Sequence, residues 1–186
     1  MNRLTLVPVV MLLALAMVGI AVLAQEGGEP AAPEASPNLA LVHLAPFAAD
    51  PGTAVDIKID GVQVAAGVAY GDSTAYAASI SGTHLIEVFP AGDTTVAVSK
   101  TVQLVDDQDY TVVAVGGANG WPLELALLED DGSAPAAGTA KVRMGHLAPF
   151  AAGAGNTLAD VRLQDGTVIA DDVAYGDFAP YAELAA

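Results

Sequence analysis

Histidines are the residues of this chain best suited by type to acid–base or metal chemistry. The three, His43, His84 and His146, each lie on an alternating apolar run, which is typical of an imidazole at a core edge bonded to a backbone carbonyl. Their wide separation does not fit a zinc site. The absence of cysteine excludes thiolate metal sites and cysteine nucleophiles, and no nucleophile elbow or phosphate-binding glycine loop is present. We therefore predict that the protein is not an enzyme.

Acidic residues outnumber basic ones by 22 to 6, which gives a net charge of −16. Nucleic acid is not expected as a partner, because its phosphates would be repelled. Asp106, Asp107 and Asp109 form a candidate calcium site, since calcium prefers carboxylate oxygens. Their spacing lacks the pattern of an EF-hand loop, and the alternative is that the acidity only supports solubility. No other cofactor is predicted.

Aromatic residues supply the candidate ligand-binding surface. Phe47 and Phe150 each follow an Ala-Pro pair in the loops after His43 and His146, and Trp121 precedes a proline. Exposed rings in such loops can hold a partner or stack on a sugar. The alternative is that the loops close the ends of a β-sandwich and that the tryptophan packs. These two histidines and three aromatic residues are the candidate ligand-binding residues.

The two histidine loops exist because the chain repeats itself. The sequence His-Leu-Ala-Pro-Phe-Ala-Ala occurs at 43–49 and again at 146–152. Val-Ala-Tyr-Gly-Asp occurs at 68–72 and again at 173–177. An offset of about 100 residues is too long for a solenoid repeat and indicates a duplicated small domain.

Short alternating runs separated by turn residues predict an all-β fold. Residues 55–59 and 62–64 flank Asp-Gly, the strongest short signal for a β-hairpin. Further strands are predicted at 73–78, 83–89, 96–105, 110–116 and 123–129. This number of short strands within residues 38–129 fits an immunoglobulin-like antiparallel β-sandwich.

After a linker at 130–139, residues 140–186 correspond to only part of a second β-sandwich repeat. Its apolar strand faces would lack cover, at a cost of about 1.5–3 kcal/mol for each exposed side chain. Three alternatives follow: these strands dock on the first domain, a partner supplies the missing strands by strand exchange, or the sequence is a fragment.

The N-terminus has the pattern of an export signal. In residues 1–24, Arg3 precedes an apolar stretch that ends in a small residue, Ala24, as in a secretory signal peptide. The alternative is an uncleaved N-terminal membrane anchor, since about 20 apolar residues can cross a bilayer. Either places the remainder outside the cytoplasm, secreted or on the cell surface. Residues 25–37 are rich in Gly, Pro, Glu and Ala, which predicts a disordered linker.

The combined pattern resembles the domain of unknown function family 4397, a mostly prokaryotic group of exported repeats. The resemblance covers residues 39–186 and rests on Val-His at 42–43, Ala-Val-Asp-Ile at 54–57, Val-Ala-Tyr-Gly at 68–71, the strand at 110–116 and Leu-Glu-Asp-Asp at 128–131. After the histidine, the family usually reads Ala-Ser-Pro-Asp, whereas this chain has Leu-Ala-Pro-Phe. The resemblance implies a surface or secreted immunoglobulin-like β-sandwich and supplies no established activity.

Together, these features predict a non-enzymatic, secreted or cell-surface bacterial protein with a structural or adhesive role in the cell envelope or matrix. Its expected partners are cell-surface or matrix components, and it would meet the membrane only through an uncleaved N-terminal segment. The alternative is an extracellular ligand-binding module for glycan or calcium.

Overall fold

The computed structural model describes residues 35–46, 53–148, 150–152 and 157–185. The predicted signal segment, most of the predicted linker and Phe47 lie outside these ranges. Within them, no helix has the length and apolar character needed to cross a membrane. The regular structure of the described residues consists of β-strands, and the all-β prediction is confirmed.

Twelve strands follow one another in the described ranges. They are β1 (Asn38–His43), β2 (Val55–Ile59), β3 (Val62–Val68), β4 (Ala77–Ala78), β5 (Gly82–Pro90), β6 (Val98–Leu104), β7 (Asp109–Val115), β8 (Glu124–Asp130), β9 (Thr139–Val142), β10 (Ala159–Arg162), β11 (Val168–Val173) and β12 (Ala182–Ala185).

The first eight strands form two four-stranded sheets with the orders β4-β1-β7-β8 and β3-β2-β5-β6. Neighbouring strands are antiparallel except for β1 and β7, which run parallel. Apolar side chains from both sheets share one core, as expected for a β-sandwich. The core residues are Leu39, Leu41, Val55, Ile57, Ile86, Val88, Val102, Leu104, Tyr110, Val112, Ala114 and Leu125.

Turn chemistry explains where two of these strands begin and end. The predicted hairpin is present between β2 and β3, with positive φ at both Asp60 (51°) and Gly61 (79°). The strand predicted at 73–78 is shorter than expected and is reduced to β4. The cause lies at Thr74, whose hydroxyl accepts the Leu41 amide at 3.0 Å and replaces a backbone partner. The sheet edge is therefore interrupted before β4.

Residues 139–185, here called the second segment, contain two strand pairs, β9 with β12 and β10 with β11. This segment contacts residues 35–130, here called the first segment. The Trp121 indole donates to the Ala151 carbonyl at 2.9 Å, and its ring centroid lies 4.2 Å from that of Tyr175. Residues of the two segments are therefore in contact at this point.

A single carboxylate at the end of β8 bonds to both segments. Asp130 Oδ2 accepts from Tyr76 at 2.8 Å and from Thr111 at 2.6 Å, both in the first segment. Its Oδ1 forms an ion pair with Arg143 and accepts from Tyr181 at 3.4 Å, both in the second segment. Only 12% of the Asp130 side chain is exposed, so this ion pair is shielded from water.

Candidate functional site

His43 ends β1 and is held by the turn that follows β3. Its amide donates to the Asp72 carbonyl at 3.0 Å, and its carbonyl accepts from the Gly71 amide at 2.8 Å. The buried ring donates through Nε2 to the Thr53 carbonyl. The Ala45 amide lies 3.5 Å from Nδ1. This imidazole therefore joins β1 to the start of β2 and has the carbonyl bond predicted for it.

His146 has the same backbone partners but a different ring environment. Its amide donates to the Asp177 carbonyl at 3.1 Å, and its carbonyl accepts from the Gly176 amide at 2.8 Å. The ring stacks on Phe150 with centroids 5.1 Å apart. Its Nε2 is buried and has no hydrogen-bond partner among the described residues. A buried unsatisfied polar atom costs about 1–3 kcal/mol.

His84 is placed differently from the other two histidines. Its Nε2 lies 2.7 Å from the Ile80 carbonyl, which is the predicted kind of partner. Its Nδ1 lies 2.7 Å from Asp60 Oδ2, a partner that the sequence analysis missed. Both partners are acceptors, so only the doubly protonated ring can donate to each. The hydrogen bond to Asp60 accordingly raises the pKa of His84.

We expect the pair of His84 and Asp60 to make the free energy of unfolding depend on pH. Because the pKa of His84 is higher in the folded than in the unfolded chain, its stabilisation is complete below about pH 6.5 and is lost as pH rises through the folded-state pKa. Denaturant unfolding between pH 5.5 and 8.5 should show a stability advantage of the unmodified chain over His84→Gln that shrinks with rising pH. His43 and His146 are common to both proteins and cancel in the difference. An advantage independent of pH would contradict this assignment.

The other candidate aromatic residues differ in accessibility. Phe150 is 58% exposed, whereas Trp121 is half-buried in the contact between the segments. Tyr70, which the sequence analysis did not single out, is 53% exposed and lies edge-on to the His43 ring. The signal that could have found Tyr70 was its place in the repeated Val-Ala-Tyr-Gly-Asp sequence.

An apolar cleft of about 420 Å³ is formed by residues from both histidine loops. We call it the two-loop cleft. Pro46 and Tyr70 line it from the first segment, Leu147 and Phe150 line it from the second, and Asn119 adds an amide. Its volume lies within the range of about 300–1,000 Å³ that is typical of ligand pockets. The arrangement can hold an apolar or aromatic group.

The carboxylates predicted for calcium are dispersed over an acidic depression. Asp107 and Asp109 line it together with Glu129 and Asp131. Asp109 accepts from the Asn38 amide group at 2.8 Å, and Asp131 pairs with a lysine at 2.7 Å. Among the described residues, Asp106, Asp107 and Asp109 do not form a group of three closely spaced ligand atoms.

A closer carboxylate group lies on the hairpin of β10 and β11. Ligand oxygens of Asp160, Asp171 and Asp172, all exposed, lie within 4.8 Å of one another. The Asp172 amide donates to Asp160 at 3.0 Å, and the Arg162 guanidinium donates to the same carboxylate at 2.8 Å. Together these two hydrogen bonds lower the pKa of Asp160 to about 2. A hydrogen bond to Asp160 raises the pKa of Asp171. The sequence pattern did not indicate this group, because the register between the two strands is irregular.

Comparison with known families agrees with the resemblance noted from the sequence. The family model described as Domain of unknown function (DUF4397) matches residues 37–154, which include His43 and His146. No curated protein matches the chain. Because the matched range is more than half of the chain, this protein belongs to the DUF4397 family.

Proposed function

We propose that the protein is a non-enzymatic, secreted or cell-surface β-sandwich protein with a structural or adhesive role in the cell envelope or matrix. The observation that carries this proposal is the two-loop cleft. Two exposed aromatic rings, Tyr70 and Phe150, line an apolar surface, while the adjacent His43 and His146 rings are buried in the scaffold. Such a surface is suited to binding a partner, because removing apolar area from water contributes about 25 cal/mol of favourable free energy per Å².

Recurring hydrogen bonds support the tandem-copy part of the proposal. The Asp72 amide donates to the Ala69 carbonyl at 3.0 Å, and the Asp177 amide donates to the Ala174 carbonyl at the same distance. The bonds that hold His43 and His146 correspond in the same way. We infer that residues 140–186 are an incomplete second copy of the domain at 38–129. Duplicating the histidine loop is what gives the two-loop cleft its two sides.

Two further parts of the proposal concern topology and location. The two four-stranded sheets and the domain length favour an immunoglobulin-like arrangement. The basic, apolar and small-residue pattern of residues 1–24 supports export by a signal peptide or N-terminal anchor.

Complementation of a deletion strain tests the adhesive role. We expect the deletion to weaken surface attachment or envelope integrity, and the unmodified gene to restore it. The double variant Tyr70→Ser with Phe150→Ser should fail to restore attachment, because it removes both exposed rings of the cleft. Val105→Ser is the matched control, since Val105 is an exposed apolar residue (56%) that does not line the cleft. Cell fractionation and thermal unfolding verify that each variant is exported and folded.

A strain whose attachment and envelope are unaffected by the deletion would contradict the proposal. Full restoration of attachment by the double variant would instead show that the two-loop cleft is not the adhesive surface.

The alternative, a ligand-binding module for glycan or calcium, is favoured by the group of Asp160, Asp171 and Asp172. Thermal-shift titration with calcium and a glycan panel distinguishes it. A calcium response lost in Asp171→Asn would support that module, and no response to either ligand would dispose of it.

A further inference from the structure

A cavity of about 400 Å³ lies between the two sheets of the β-sandwich, within the first segment. We call it the edge cavity, because β3 and β4, which line it, are end strands of their sheets. Among the described residues, none lines both this cavity and the two-loop cleft. Its volume is typical of ligand pockets and has room for about a dozen non-hydrogen atoms, since a water in the liquid occupies about 30 Å³.

The cavity exists because the sandwich is closed along one side and open along the other. On the closed side, Lys100 of β6 donates to the Leu125 carbonyl of β8 at 2.8 Å. On the open side, β4 consists of two alanines, whose small side chains leave space beside Leu39 and Leu41. Both leucines belong to the core. The edge cavity therefore leads from the solvent towards the core.

Apolar side chains at the rim of the edge cavity are strongly exposed. Val62 is 66% exposed, Val64 is 50% exposed and Ile80 is 76% exposed. Covering such side chains removes apolar area from water, which is favourable. The walls of the cavity are therefore suited to the apolar body of a ligand.

Asp60 and His84 are the titratable residues among those that line the cavity. Asp60 Oδ1 accepts the Leu85 amide at 2.8 Å, and Asp60 Oδ2 lies 2.7 Å from His84 Nδ1. A carboxylate can accept about four hydrogen bonds. Because the Asp60 side chain is 51% exposed, it can accept a further hydrogen bond from a ligand in the cavity.

Among the described residues, Asp60 is the charged group bonded to His84, and the charged residues of the adjacent strands have other partners. Lys100 of β6 reaches β8, as described above. On β2, Lys58 lies opposite the glutamate of β5, and its ammonium is 4.5 Å from the centroid of an aromatic ring. Asp56 of the same strand accepts two glycine amides. Asp60 is thus the charged neighbour to which the protonation of His84 responds.

This pair selects the charge of a ligand. A ligand carboxylate would be repelled by Asp60 and by the net charge of −16, whereas an ammonium would be attracted and could donate to Asp60. A protonated His84 balances the charge of Asp60 and repels the ammonium, but a neutral His84 does not. An ammonium in the cavity and the proton on His84 therefore compete.

We propose that the edge cavity binds a small primary amine with an apolar body, whose ammonium donates to Asp60 while the apolar part lies against Leu41 and Val64. The affinity for the amine rises as the pH rises and His84 loses its proton. This site is separate from the adhesive surface of the proposed function and does not depend on it.

The test is calorimetric titration of the full chain with n-heptylamine, n-heptanol and heptanoate. We expect saturable binding of the amine, several-fold weaker binding of the alcohol and no binding of the carboxylate. The affinity for the amine should rise several-fold between pH 6 and pH 9, a range in which an alkylamine with a pKa of about 10.4 stays protonated. Proton release should make the measured heat depend on the ionisation enthalpy of the buffer.

Four variants identify the residues involved, and thermal unfolding verifies that each is folded. Asp60→Asn should bind the amine about tenfold more weakly, because a charge-assisted hydrogen bond is lost. Asn-Gly favours the same turn as Asp-Gly, so the hairpin is retained. His84→Gln should bind with an affinity independent of pH. Val64→Lys should weaken binding several-fold by placing a cation on the wall, and Val105→Lys is its control, since Val105 is exposed (56%) outside the lining.

The proposal would be overturned by no saturable binding of heptylamine, by equal affinities for the amine and the carboxylate, or by unchanged binding in Val64→Lys. An affinity of the unmodified chain that does not vary with pH would reject the competition with His84. The attachment assay depends on the two-loop cleft and not on the edge cavity. A failure of amine binding is therefore distinguishable from a failure of the proposed function.

Discussion

Replacing Asp130 by alanine is expected to lower the free energy of unfolding by about 3 kcal/mol, as when one partner of a largely buried ion pair is removed. The substitution leaves Arg143, only 18% exposed, without its carboxylate. It also removes the acceptor of Tyr76, Thr111 and Tyr181. Because these partners belong to both segments, the second segment should become sensitive to proteolysis before the first.

Asp131→Ala is the matched control for this prediction. The neighbouring Asp131 pairs with Lys141 at 2.7 Å, but its side chain is 46% exposed. Lys141 is only 13% exposed, yet it keeps the carbonyl and the hydroxyl of Ser133 as acceptors when Asp131 is removed. Exposed ion pairs contribute only about 0–1 kcal/mol, so the control should change stability little. Urea unfolding and limited proteolysis measure both effects. Equal losses in the two variants would show that the bonds of Asp130 stabilise the protein no more than the more exposed bonds of Asp131.

Replacing Gly116 by alanine should also destabilise the protein strongly. A Cβ at this position would lie 1.9 Å from the carbonyl oxygen of Pro122, so the backbone of the 116–122 loop would have to move. The residue also has a φ of 80°, which disfavours side chains. We expect a loss of about 2–5 kcal/mol, from about 1–3 for overpacking and about 1–2 for left-handed backbone.

Gly120 in the same loop separates these two causes. Its φ is 81°, but a Cβ there meets no atom within 4 Å. Gly120→Ala should therefore cost only the backbone contribution, about 1–2 kcal/mol. Thermal and denaturant unfolding of both variants provide the comparison. A Gly116→Ala protein as stable as Gly120→Ala would mean that the contact with Pro122 is easily relieved.

Local patterns in the sequence were sufficient for much of the fold. The alternation of residues 55–59 and the Asp-Gly turn predicted a hairpin that is present. The strand predicted at 73–78 was too long, because alternation does not reveal that the Thr74 hydroxyl takes the Leu41 amide. Contacts between distant residues were the part that the pattern could not supply.

The candidate site shows the same division between local and distant information. The buried character of His43 followed from its apolar run, and its carbonyl partner was of the predicted kind. The Asp60 partner of His84 lies 24 residues away and depends on the pairing of β2 with β5. The two-loop cleft likewise requires the two copies of the loop to meet, which no single stretch of sequence encodes.

The parallel pairing of β1 with β7 has a consequence for the order of events during synthesis. Asn38 pairs with Asp109, so β1 gains its parallel neighbour only after 71 further residues have been added. At about 5–20 residues per second, the ribosome takes several seconds to supply that neighbour. Long-range pairing of this kind also makes folding slow, in the range of milliseconds to seconds for sandwich-like proteins. Until then, the pairing available to β1 within its sheet is the short one with β4, which joins Asn38 to Ala78 and Leu39 to Ala77.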